Sequence, residues 1–201
     1  MCRNIPKLLT APADAIAAAR KKSTYGDALA TLIFDGIVLA IATAVFLTVL
    51  GSITGLGAMF GQGLGIVAVV VFVAVFLGGL FLALLTKLVV RALGGKGDFL
   101  HGLTISSYTM AAPSVGLLVT AIFFAVPYIG PIIGFIAMAL GFALGISTLY
   151  RAIKELFVTD MITALVAVGV LTLALMTAFV IFTPSMGMGS LTTLTNLAGL
   201  V

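Results

Sequence analysis

Residues 64–90 form an apolar segment with VVVFVAVFLGGLFLALL at its heart, and a run of this length decides what kind of chain this is. About 20 apolar residues in helical conformation match the hydrocarbon thickness of a bilayer. The segment is therefore read as a membrane span. Four more runs share its character: residues 28–50, interrupted only by Asp35, residues 105–126, residues 132–150 and residues 161–182. Across the 201 residues 62% of side chains are hydrophobic and 8% charged, against roughly 45–50% and about 25% in soluble domains. One water-soluble core is excluded, because too few polar side chains are left to cover its surface. The expected architecture is all-α, a polytopic bundle of five transmembrane helices.

The ten Lys and Arg residues give the bundle a direction. Arg3, Lys7, Arg20, Lys21 and Lys22 precede the first span, Lys87, Arg91 and Lys96 sit at the second-to-third junction, and Arg151 and Lys154 sit at the fourth-to-fifth. With five spans all ten fall on one side. The other side, made of the glycine-rich residues 51–63, the VPYIGP turn at 126–131 and the C-terminal stretch, has none. The positive-inside rule then places the N-terminus in the cytoplasm and the C-terminus outside. Residues 1–27 read as a cytoplasmic N-terminal segment, 28–182 as the transmembrane domain, and 183–201 as a polar, uncharged external tail. The net charge of +4 is accounted for by topology. No basic face for nucleic acid is formed.

Small residues recur along the spans. Gly130, Gly134, Ala137, Gly141 and Gly145 advance by four, three, four and four, which places them on one helical face. Such a face lets backbones approach in lipid, where little hydrophobic force acts between helices. Packing within one bundle is the first reading, a homo-oligomer contact the second. Gly36, Ala40 and Ala44, and Ala74 with Gly78, are shorter examples. Residues 5–22 read as an amphipathic helix with Thr10 as cap, Pro12 in its first turn and Asp14 at the favourable end of the dipole. Ile5, Leu8, Leu9 and Ile16 would rest in the headgroup boundary. Arg20, Lys21 and Lys22 would meet anionic lipid headgroups, unless they only enforce orientation.

Chemistry is sparse. One cysteine and one histidine exclude an internal disulfide and a His/Cys metal cluster, and no cofactor motif is present. Asp98, His101 and Ser106 or Ser107 lack a nucleophile elbow and oxyanion glycines; His101 is read as a surface loop residue. The GGKG run at 94–97 is too short for a phosphate-binding loop. What remains is an intramembrane polar set. Asp35 lies about 10 Å into the first span at 1.5 Å per residue, where an ionised carboxylate facing lipid is costly. Lys87 is its best ionic partner from sequence; the alternatives are that Asp35 is protonated, or that it bonds only to Ser or Tyr hydroxyls, Tyr108 among them, at the start of the third span. Pro113 is expected to kink the third span.

Several motifs resemble one family. The GGKGDF turn (94–99) running into LTISSYTMAAPSV (103–115), with Tyr108 and Pro113 five residues apart, and TLYRAIKELFVTDMITALVAV (148–168), opened by Tyr-Arg, resemble the Yip family of Ypt/Rab-interacting five-span membrane proteins. The resemblance covers roughly residues 5–182. It implies a secretory-pathway membrane protein in eukaryotes, linked to vesicle formation and prenylated Rab-type GTPases, with relatives in prokaryotes. The long polar N-terminal region of eukaryotic members and its Asp-Leu-Tyr-Gly-Pro motif are missing, so the chain is similar to the compact prokaryotic members. The expectation is a non-enzymatic membrane scaffold or membrane-organising protein, in the cell membrane if prokaryotic and in Golgi or ER membrane if eukaryotic. A small-solute or ion transporter or channel, or an accessory subunit of a larger membrane complex, is the alternative. Expected partners are membrane lipids and other membrane proteins, a second copy among them.

Overall fold

The computed structural model describes residues 11–54 and 63–177, and every described element is helical. A short helix α1 (Pro12–Lys21) precedes four long ones, α2 (Tyr25–Thr54), α3 (Leu64–Ala92), α4 (Phe99–Phe123) and α5 (Gly130–Leu156). A further apolar helix, α6, is described over Met161–Thr177. The four long helices are long and apolar enough to cross a membrane. Residues 1–10, 55–62 and 178–201 lie outside the description. Thr10 and Ile5, Leu8 and Leu9, most of the glycine-rich 51–63 segment, the end of the fifth span and the 183–201 tail fall there.

The helices overrun the apolar runs. α5 continues through Arg151 and Lys154, which the sequence places at the fourth-to-fifth junction, and α4 starts at Phe99, six residues before the apolar run. Composition marks where hydrocarbon begins, but helical hydrogen bonding continues past it. Between α4 and α5 the chain turns within residues 124–129, where Tyr128 takes a positive φ of 64°.

α4 is the central helix and the most buried of the four. It packs on α5, α2 and α3, while α2 also packs on α3. Close approach explains the contacts. A Cβ at Gly141 would sit 3.0 Å from the Ala112 carbonyl oxygen and 3.2 Å from the Gly116 Cα, and one at Gly145 would sit 2.9 Å from Pro113 Cγ. Gly134 faces the Phe124 ring and Gly130 the Phe123 carbonyl; Ala137 offers its carbonyl oxygen at the Gly116 position. The small face of α5 thus lies against α4 of the same chain. Ala74 and Gly78 make no comparable contact: Ala74 is exposed and nothing surrounds Gly78, whereas its neighbour Gly79 meets Leu32. The helical period carries 78 away from the face that 79 presents.

α1 corrects another expectation. Its cap is Ala11, without a side-chain hydrogen bond. Ile16 does not lie at the headgroups; with Ala15 and Ala19 it is buried in the core cluster of Ala152, Ile153, Leu156 and Phe157. A short row of apolar residues buries equally well against a helix as against lipid, and α5 is the nearer surface.

Candidate functional site

The loops that join α3 to α4 and α5 to α6 lock together at one end of the bundle. Gly94 adopts φ +86°, a left-handed conformation that favours glycine. The amide of Lys96 donates to the Phe157 carbonyl at 3.0 Å, and Gly97 lies directly against the Phe157 ring, leaving no room for a side chain. Phe157 is fully buried and stacks obliquely with His101 at 6.0 Å. His101 is not a loop residue. It occupies the first turn of α4, where its Nδ1 accepts the Asp98 backbone N–H at 3.1 Å. Arg91 and Asp98 pair across the same turn at 3.8 Å, both largely exposed, so the pair contributes little stability.

This end also gathers the basic residues. α1 reaches it through its contact with α5, and Arg20, Lys21, Lys22, Arg91, Lys96, Arg151 and Lys154 are all exposed there. The opposite end, around the Phe46–Phe124 edge-to-face contact at 5.1 Å, has no charged residue among the described ones.

Inside the bundle, α4 carries a row of hydroxyls, and nearly all are spent on carbonyls. Ser106 donates to Gly79 of α3 at 2.7 Å and Thr120 donates to Gly134 of α5 at 2.8 Å, tying neighbouring helices together. Ser107 donates to Thr104, and Ser114 to Met110. No serine here meets a base. Among the described residues no group of three or more His, Cys, Asp or Glu could hold a metal ion. Tyr108 is buried in the core.

Asp35 is the exception. It is 1% exposed, and neither carboxylate oxygen has a hydrogen-bond partner. The pairing with Lys87 is absent, and helix register explains why. Gly36 lies against Phe72 and Leu32 against Gly79, so Asp35 is level with residues 72–79 of α3. Lys87 stands at least eight residues further along, about 12 Å at 1.5 Å per residue, and is only half-buried. The alternative hydroxyl partners make no bond to it either. A buried carboxyl without partners is costly wherever it occurs, and within a membrane span it marks a functional position by default.

Among the described residues one other buried side-chain polar atom is unpartnered, the hydroxyl of Thr109. Pro113, one turn on, brings no N–H to the Thr109 carbonyl, and Gly145 approaches that carbonyl closely. Pro113 remains within a continuous α4. The four residues picked from sequence are therefore dispersed: Asp35 is buried on α2, Lys87 lies toward the charged end, and Tyr108 and Pro113 are on α4. Thr109 belongs to the polar set that the sequence places at the start of the third span. Phe157 carries no signal in the sequence beyond being an aromatic in an otherwise charged junction.

A family model described as the Yip1 domain matches residues 7–182. Neither a curated protein nor a solved structure gives a match.

Proposed function

The chain belongs to the Yip1 domain family and is a multi-pass membrane protein, and from that premise we propose that it is a non-enzymatic, membrane-organising scaffold with five spans, an N-terminus in the cytoplasm and a C-terminus outside. The observation that carries this reading is the division of labour along the bundle axis. One end is charged and built from two interlocked loops, while α4 and α5 are closed against each other through glycine faces with backbones in contact. A closed bundle that displays one elaborated face is suited to presenting that face. The one-sided basic residues support its cytoplasmic placement, and Arg20, Lys21 and Lys22 are positioned to hold anionic headgroups. Fold alone assigns no function. A photo-crosslinking residue at Lys96, in the charged face, is expected to capture one defined membrane-protein neighbour or a second copy, and the same residue at Tyr128 is not. Equal capture at both positions overturns the scaffold reading.

Asp35 favours a second reading, a transporter that uses a buried carboxyl in its path. Proteoliposomes separate the two: the scaffold passes no solute or ion above protein-free vesicles, whereas flux abolished by Asp35→Asn establishes transport.

A further inference from the structure

The turn that joins α5 to α6 holds a side chain where glycine is expected. Val158 has a φ of 52°, in the left-handed region, where a β-branched residue is an outlier. The amide of Thr159 donates to the Lys154 carbonyl at 3.2 Å, so Val158 occupies the position just past a helix end that glycine usually takes. Glycine would close the same turn without that cost. Valine returns little packing to the fold, because it is 65% exposed. Just beyond it, Met161, Ile162 and Leu165 share one face of α6 and are 64%, 72% and 63% exposed. A strained residue at the head of an uncovered apolar face has its use outside the chain.

Two cations stand beside that face. Lys96 is tied to the turn through its amide, which donates to the Phe157 carbonyl at 3.0 Å, and Lys154 through its carbonyl, which accepts the Thr159 amide. Both residues are exposed, and among the described residues neither takes part in an ion pair. Two nearby acids are committed elsewhere: Asp98 pairs with Arg91, and Asp160 accepts the Ile162 and Thr163 amides. Glu155 is half-buried on α5. Lys96 and Lys154 against Glu155 leave the turn positive. Lys154 lies four residues past Tyr150, where the apolar run of α5 ends, about 6 Å along the helix. A headgroup layer is roughly 5–8 Å deep on each side of the hydrocarbon. The lysine charge therefore falls at the level of phosphates, with the apolar face of α6 next to it. We propose that the α5–α6 turn docks an anionic phospholipid, with its phosphate on Lys96 and Lys154 and the upper part of an acyl chain on Val158, Met161 and Ile162. This rests on the membrane-organising reading of the charged end and deepens it, on residues other than Arg20, Lys21 and Lys22.

The test titrates the full chain, purified in a mild detergent, with dioleoylphosphatidylglycerol or dioleoylphosphatidylcholine and counts bound lipid by native mass spectrometry. The parent is expected to bind phosphatidylglycerol more tightly, with no displacement by excess inorganic phosphate. Lys96→Gln and Lys154→Gln each weaken that binding about fivefold, the worth of one cation near an anionic surface. Val158→Gly leaves the charge unchanged and weakens it about fivefold through lost apolar contact. Its melting midpoint equals or exceeds the parent's, because the left-handed turn is relieved. A loss of affinity in a variant that melts no lower is not unfolding. Displacement by inorganic phosphate marks an anion site without a lipid and overturns the proposal. Equal affinity of the parent for the two lipids, or a Val158→Gly variant that binds as the parent does or melts below it, overturns it as well and leaves the patch to a protein partner. No protein neighbour enters this measurement, so its failure leaves the scaffold reading standing, and that reading falls only by the crosslinking result.

Discussion

Replacing Asp35 by leucine is expected to stabilise the protein. Both carboxylate oxygens are buried without a partner, and a buried unsatisfied polar group typically costs about 1–3 kcal/mol. Leucine has the same branch point and no polar atom, so the penalty is removed while the packing between α2, α3 and α4 is kept. For a chain of this size each kcal/mol moves the melting midpoint by about 2–4 °C. A rise of roughly 2–12 °C follows, measured by circular dichroism in a mild detergent. Because Lys87 lies about 12 Å away along α3, Asp35→Asn and Lys87→Met should have effects that add within about 0.5 kcal/mol in a double-mutant cycle. A lower midpoint for Asp35→Leu, or strong coupling to Lys87, would show that the carboxylate has a partner and refute the register argument.

At Gly141 an added Cβ meets backbone of α4, so Gly141→Ala should cost about 1–3 kcal/mol in melts, whereas Gly78→Ala, with nothing near it, should gain up to about 1 kcal/mol. Phe157→Ala empties the fully buried position on which Gly97 and His101 rest; a loss of about 3–5 kcal/mol is expected, with faster proteolysis of the 94–98 loop. Asp160 caps α6 by accepting the Ile162 and Thr163 amides at 3.2 and 3.3 Å, and the Thr163 hydroxyl and amide hold its carboxyl below the usual range. Since that carboxyl is depressed in the folded state, its contribution is present above the ordinary carboxylate range and is lost as pH falls through the depressed value. The acid limb of a pH melting series should therefore be shallower in Asp160→Asn, which keeps a capping oxygen that does not titrate.

What was legible in the sequence was whatever repeats or is continuous. The apolar runs mark the spans, and the period of Gly134, Ala137, Gly141 and Gly145 marks a face that lies on α4. Contacts that depend on relative height between helices were not legible. Lys87 sits near Asp35 in any topological sketch, but the sliding of α3 against α2, fixed by Leu32 on Gly79 and Phe72 on Gly36, separates them. Ile16 illustrates a second limit, because an apolar side chain carries no mark of whether lipid or protein will cover it. His101 and Phe157 illustrate a third. Their roles come from two loops meeting, and neither loop encodes the other.

The central claim is that the charged, interlocked end faces the cytoplasm and the Tyr128 end faces outside. Single cysteines answer it, placed in a Cys2→Ser background at Lys96, an exposed position in the charged end, and at Ser52 and Tyr128, exposed at the other. Intact cells are treated with a membrane-impermeant maleimide before and after permeabilisation. The account predicts labelling at 52 and 128 in intact cells, and at 96 only after permeabilisation. Labelling at 96 in intact cells, or at 52 and 128 only after permeabilisation, would contradict it.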